Sequence, residues 1–200
     1  MEIQHFLTEV LGVKSDGLCK TIASQSKMRF IRKGEILQNI GHSSEDLYFF
    51  RKGLLRGFFL DAEGQEITDC FAFVEGDPVI ACFDLASPSV LCIEALEDSE
   101  VIAVPYRVIL PMLNKDVELM KLYTHLLREA LRMHWDNKLV LAQRNATERY
   151  QWFLERYEGL IDRVNHRHIA SFLGMSPISL SRVRRALREK VLVREEGFGD

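Results

Sequence analysis

The chain has 200 residues, 47% of them hydrophobic, and a formal net charge of −3. That length can bury a sizeable core in one large or two small domains, and no run approaches the roughly 18 uninterrupted apolar residues of a membrane span. The start, Met1-Glu2-Ile3-Gln4-His5, lacks the basic-then-apolar order of a secretory signal, so a cytoplasmic protein is expected.

Residues 2–27 suggest one or two short helices, with Phe6, Val10, Leu11, Leu18 and Ile22 as their apolar positions. From Met28 to about Val104 the pattern becomes strand-like. Short β-branched or aromatic runs (29–31, 47–50, 54–60, 67–73 and 101–104) alternate with turn segments such as Lys33-Gly34, Lys52-Gly53 and 61–64. This is the pattern of an antiparallel all-β core. Cys19, Cys70, Cys82 and Cys92 are scattered through these segments without a Cys-x-x-Cys pair, which reads as buried reduced thiols, with a disulfide or redox role as the alternative.

After Pro105 the character changes, and residues 116–143 hold no Gly or Pro and are rich in strong helix formers. One long helix is predicted, about 40 Å at 1.5 Å per residue. It carries one apolar stripe through Met120, Tyr123, Leu127, Leu131 and His134 and another through Leu119, Leu122, Leu126, Ala130 and Met133. Two stripes call for two partners: the β core for one, and for the other the same helix of a second copy, which makes the first stripe a homodimer interface. A monomer that buries both is the alternative.

Shorter helices follow, the first over 147–157, then a compact pair up to Leu187. In this pair Ile169, Ala170 and Leu173 share a face of the first helix, small Ala170 allows a close crossing, and Gly174 suits a turn that needs positive φ. Ser176 is a candidate N-cap, Pro177 fits the first helical position, and Leu180 and Val183 pack the second helix back on the first.

The charge is divided along the chain. Residues 141–200 carry eleven Lys and Arg against eight Asp and Glu, a net of +3, which leaves −6 on residues 1–140. Residues 166–188 hold five arginines and no acid, whereas residues 57–106 hold eleven acids and no Lys or Arg. A basic helix behind a turn glycine is a groove-reading surface. Its candidate DNA-contacting residues are Ser176, Pro177, Ile178, Ser181, Arg182, Arg184, Arg185 and Arg188: Arg182 can hydrogen-bond a guanine edge in bidentate fashion, Ile178 can meet a thymine methyl, and Arg184, Arg185 and Arg188 can neutralise phosphates. The plainer alternative is a helical hairpin with a solvated basic face.

These motifs, with Lys33-Gly34-Glu35, Asp46-Leu47-Tyr48-Phe49-Phe50-Arg51-Lys52-Gly53, Asp61-Ala62-Glu63-Gly64-Gln65-Glu66 and the 169–183 segment in that order, give a chain that resembles the Crp/Fnr family of bacterial transcription regulators over nearly its whole length. The resemblance implies an α+β protein: an N-terminal cyclic-nucleotide-binding-like β-roll (1–115), a dimerisation helix (116–143) and a C-terminal winged helix-turn-helix (144–200) that binds a palindromic promoter site in double-stranded DNA. It makes RNA polymerase a further expected partner. By position Arg182 matches the family's base-contacting arginine, while Pro177 and Ile178 replace polar readers, which implies a different operator.

The resemblance breaks at the effector pocket. The candidate residues are Glu75, Gly76, Asp77, Pro88 and Ser89, and Pro88 stands where cyclic-AMP-binding members have the arginine that holds the phosphate. With no local cation to pair a buried phosphate, a cyclic nucleotide is not expected, and the effector is some other small molecule or none. Clustered cysteines for an iron-sulfur centre are missing, haem through His5, His42 or His134 is a minor alternative, and neither a cofactor nor a metal site is expected. His166 and His168 read as backbone-adjacent or solvated. No nucleophile elbow, phosphate loop or metal motif points to an enzyme. Little sequence follows Val193, so the wing should be minimal or absent. The competing reading is a ligand-sensing β-roll module that regulates a protein partner without specific DNA binding.

Overall fold

The computed structural model describes residues 2–82 and 87–196, with side chains described to residue 189. Helix α1 (Glu2–His5) runs into a π-helical turn (Phe6–Val10) and is followed by α2 (Asp16–Gln25), whose N-cap Ser15 accepts from the Leu18 N–H. Eight strands come next: β1 (Lys27–Ile31), β2 (Ile36–Gln38), β3 (Asp46–Lys52), β4 (Leu55–Leu60), β5 (Glu66–Ala72), β6 (Pro78–Val79), β7 (Cys92–Ala95) and β8 (Ser99–Pro105). The chain closes with α3 (Tyr106–Leu113), α4 (Val117–Gln143), α5 (Ala146–Arg156), α6 (Leu160–Arg163), α7 (His166–Phe172) and α8 (Pro177–Glu196). Two four-stranded sheets form, in the orders β1-β8-β3-β6 and β2-β7-β4-β5. None of the helices among the described residues is long and apolar enough to cross a membrane.

The chain divides into two compact units, residues 1–64 with 69–131 and residues 65–68 with 132–200. In the first unit the central strands β3 and β8 are apolar on both faces. Their register, Leu47↔Val104 through Phe50↔Val101, sends alternate side chains in opposite directions. Tyr48, Phe50, Val101 and Ala103 point between the sheets, where they meet Ile31, Leu55, Ile93 and Ala95. Leu47, Phe49, Ile102 and Val104 point the other way, into a helical layer of Phe6, Leu7, Cys19, Ile22, Ile109 and Leu119. Each fully buried large apolar side chain contributes about 2 kcal/mol, and two such layers sandwich one sheet. The tight β3–β4 connection depends on Gly53 at φ +99°, where a Cβ would lie 2.6 Å from the Asp98 carbonyl oxygen.

Arg56 of β4 is 1% exposed; its Nη1 lies 2.6 Å from Glu94 Oε1 on the paired strand β7, and its guanidinium stands over the Phe58 ring. Helix α4 fills the predicted range with one residue fewer at its start. Leu119 is buried in the helical layer with Leu122, Tyr123 and Leu126 packed beside it, the i, i+3, i+4, i+7 spacing of one helix face. Tyr123 therefore belongs to the inward face, not to the outward stripe where the sequence reading puts it. Met120, Leu127 and Leu131 remain exposed, as do His134, Trp135 and Leu139 further along.

Candidate nucleic-acid interface

The second unit is built on Tyr150, Phe153, Tyr157, Leu160, Val164, Ile169, Ala170, Leu173 and Leu180, all buried. Helix α5 starts with a complete capping box, Asn145 accepting from the Thr147 and Glu148 N–H groups while the Glu148 carboxylate accepts from the Asn145 N–H. It carries Phe153 into a ring cluster with Trp152, Tyr157 and Phe172, at centroid separations of 5.1–6.2 Å for the adjacent pairs. That cluster supports α7 from behind.

Asn165 caps α7 through the Arg167 N–H. Ile169, Ala170 and Leu173 have no exposed surface. Gly174 takes φ +60°, and its N–H donates to the Ser171 carbonyl. The chain then turns, and Ser176 Oγ accepts from the Ser179 N–H as the N-cap of α8, with Pro177 at the first helical position. Leu180 is buried and Val183 half-buried, which fixes the rotation of α8 about its axis.

That rotation leaves Ser176, Pro177, Ile178, Ser181, Arg182, Arg185 and Arg188 exposed, Ile178 at 67%. Arg185 makes a long exposed pair with Glu189 at 3.8 Å. Arg184 is half-buried and its Nη1 donates to His166 Nε2 at the start of α7. Burial, and then the charges of Arg184 and Arg188, hold the His166 imidazole below the usual histidine range, against a smaller opposite effect of Asp162. His168, expected to be backbone-adjacent or solvated, is buried rather than solvated, because it lies four residues before Phe172 on the inner face; its Nε2 accepts from Arg167 Nε at 3.3 Å. Helix α8 continues to Glu196, well past Leu187, since residues 188–196 contain no Gly or Pro. The described residues thus hold no wing strand after the second helix.

One residue essential to this geometry escaped the sequence reading. Arg149, on α5, donates from Nη1 to the carbonyls of Leu173 (2.9 Å) and Gly174 (3.3 Å), and from Nε to the carbonyl of Arg144 (2.8 Å). Its planar fork ties the end of α4 to the turn between α7 and α8. Only the unpaired carbonyls at a helix C-terminus hint at such a donor, and they do not name it.

The five candidate effector residues do not assemble into one pocket. Gly76 and Asp77 pair through their backbone with Phe50, and a Cβ on Gly76 would lie 2.7 Å from the Val10 side chain. Glu75 and Asp77 are exposed, and so is Pro88, which makes a β-bridge to Ser43. Ser89 is buried, and its hydroxyl bonds the carbonyls of Ala81 and Leu91. Ser89 alone of the five lines the small cavity between the sheets, about 20 Å³, with Tyr48, Ala81 and Ile93.

Comparison with solved structures places this architecture. FixK2 from Bradyrhizobium japonicum superposes with a TM-score of 0.70 at 23% identity, over 82% of this chain and 85% of that one. A chain from Eubacterium rectale assigned to the Crp/Fnr family of transcriptional regulators gives 0.73 at 18% identity, over 91% and 87%. The c-di-GMP responsive global regulator CLP from Xanthomonas campestris gives 0.72 at 15%, over 89% and 94%. No protein-family model and no curated protein matches the sequence.

Proposed function

From the premise that this chain has the fold of the Crp/Fnr-type regulators, we propose that it is a DNA-binding transcription regulator that works as a homodimer. One observation carries the reading: the buried side of α8 fixes its opposite side, Ile178, Ser181, Arg182, Arg185 and Arg188, facing outward along one side of the helix. In a major groove Arg182 reads a guanine edge and Ile178 a thymine methyl, while Arg185, Arg188 and Arg184 meet phosphates. The exposed Met120, Leu127 and Leu131 supply the seam with a second copy. Two α8 helices then address half-sites roughly 34 Å apart on a palindrome.

The β-roll of this reading does not take cyclic AMP. The cavity lined by Tyr48, Ala81, Ser89 and Ile93, about 20 Å³, has room for about one water, while pockets for ligands of nucleotide size begin at about 300 Å³. Arg56, the cation that directly precedes the acidic stretch, pairs with Glu94. Calorimetric titration with cyclic AMP, cyclic GMP and cyclic di-GMP is expected to show no micromolar binding.

The test is selection of bound duplexes from a random library, then comparison of wild type with Arg182→Ala. The expected result is a palindromic selected site whose advantage over random duplex falls about 10–100-fold in the variant, with affinity that weakens as salt rises. A wild type that binds selected and random duplex equally would favour a sensor acting on a protein partner.

A further inference from the structure

Helix α8 presents its arginines in two ways. Arg182, Arg185 and Arg188 are exposed, whereas Arg184 is half-buried and donates to His166 of α7. An arginine has only donors, so His166 Nε2 must carry a lone pair, and this contact exists only with the neutral imidazole. The charged groups acting on the ring are Arg184 and Arg188 from α8 against Asp162 from α6, an excess of cations, while Arg167, next to it on α7, turns its Nε to His168.

Resting on the DNA-binding reading above, we propose that His166 couples duplex binding to proton uptake: free, it is neutral and positions Arg184, and on DNA it becomes a cation beside the phosphate backbone. The cause is electrostatic. Without DNA, Arg184 and Arg188 oppose a third positive charge at this point. Phosphates that neutralise the two arginines remove that opposition and add attraction of their own, so the bound state holds the proton more tightly than the free state. Linkage then fixes the sign: whichever state binds more protons is favoured as pH falls, so DNA affinity rises on acidification through the interval between the free and bound pKa values. The burial and arginine charges that hold free His166 below the histidine range extend that interval downward. His166 is therefore a positioning residue at neutral pH and a phosphate-facing cation in the complex.

The experiment measures affinity by fluorescence anisotropy at fixed ionic strength, from about pH 7.5 to about pH 5.5, for a selected duplex and a mixed-sequence duplex. Wild type is compared with His166→Gln, whose amide oxygen still accepts from Arg184 but does not titrate. Each protein is read against its own affinity at the high-pH end. Wild type should tighten about 5-fold or more over the range on both duplexes, and the variant by less than about 2-fold, the share of other groups. Calorimetry in two buffers of different ionisation enthalpy should show protons taken up by wild type and fewer by the variant. Equal pH slopes for the two proteins, or wild-type affinity that falls on acidification, would overturn the proposal. The outcomes separate the two readings: equal binding to both duplexes with the His166-dependent slope intact would sink sequence-specific recognition and keep this inference.

Discussion

Replacing Arg149 tests how the helix pair is held. The Arg149→Met variant keeps the aliphatic stem and loses three hydrogen bonds to the carbonyls of Arg144, Leu173 and Gly174. A charge-assisted hydrogen bond is worth about 1.5–3 kcal/mol when buried. Arg149 is half-exposed, so water replaces part of this, and the expected net loss is about 2 kcal/mol. Gly174→Ala forms the other side of a double-mutant cycle. Its φ of +60° costs an L-residue about 1–2 kcal/mol, and its new Cβ would stand 3.3 Å from Arg149 Nη1. The double variant should cost less than the two single variants together, because the crowding disappears once the guanidinium is gone. Both tryptophans, Trp135 and Trp152, lie in the unit formed by residues 65–68 and 132–200. Trp152 stacks on Phe172 at 6.2 Å, so denaturant unfolding followed by tryptophan fluorescence reads this unit alone. Arg149→Lys should recover less than half of the loss, since an ammonium cannot span three acceptors. If Arg149→Met unfolds within about 0.3 kcal/mol of wild type, the guanidinium does not brace the turn, and the cycle should show strict additivity.

Three further outcomes follow from the same coordinates. Leu131→Asp, at a site 58% exposed on α4, tests the proposed homodimer: the variant should keep its helical circular dichroism while light scattering gives the monomer mass where wild type gives the dimer mass, and equal masses for the two proteins would refute this seam. Cys70 is half-buried, and desolvation of its thiol together with the neighbouring Asp69 pushes its pKa up to about 12, so it should be alkylated much more slowly near pH 8 than the same cysteine in the unfolded chain, as peptide mass mapping would reveal. Lys52 and then Arg51 hold the Glu100 carboxyl below its usual range, so the stability that it provides is present above the ordinary carboxylate pKa and is lost as pH falls through the depressed value. Glu100→Gln should accordingly cost about 1 kcal/mol at neutral pH and nothing once the wild-type carboxyl is protonated, measured by urea titration at both pH values.

The sequence makes legible whatever follows from a local rule. Helix α4 shows because residues 116–143 contain neither Gly nor Pro, and the α7–α8 turn because Gly174, Ser176 and Pro177 occupy positions that only such a turn uses. Strands β6, two residues long, and β7, with Glu94 inside it, give no periodic signal, and Pro111 hides α3. Spacing alone does not place Tyr123, because a residue between two stripes is sorted by what it packs on. Arg149 with Gly174 and His166 with Arg184 are separated by 25 and 18 positions, so only tertiary structure brings them together.

A strand with one wet face is locked in place because a slip by one residue would drown its apolar side chains. Strands β3 and β8 have no wet face, so polarity does little to penalise a slip between them. Discrimination falls to their charged end, where Glu100 lies 2.5 Å from Arg51 Nη1 and 2.9 Å from Lys52 Nζ, just beyond the irregularity between Phe50 and Lys52. Removing that carboxylate should therefore do more than lower stability: it should let out-of-register pairings accumulate during refolding, visible as a larger slow-phase amplitude in Glu100→Gln than in wild type.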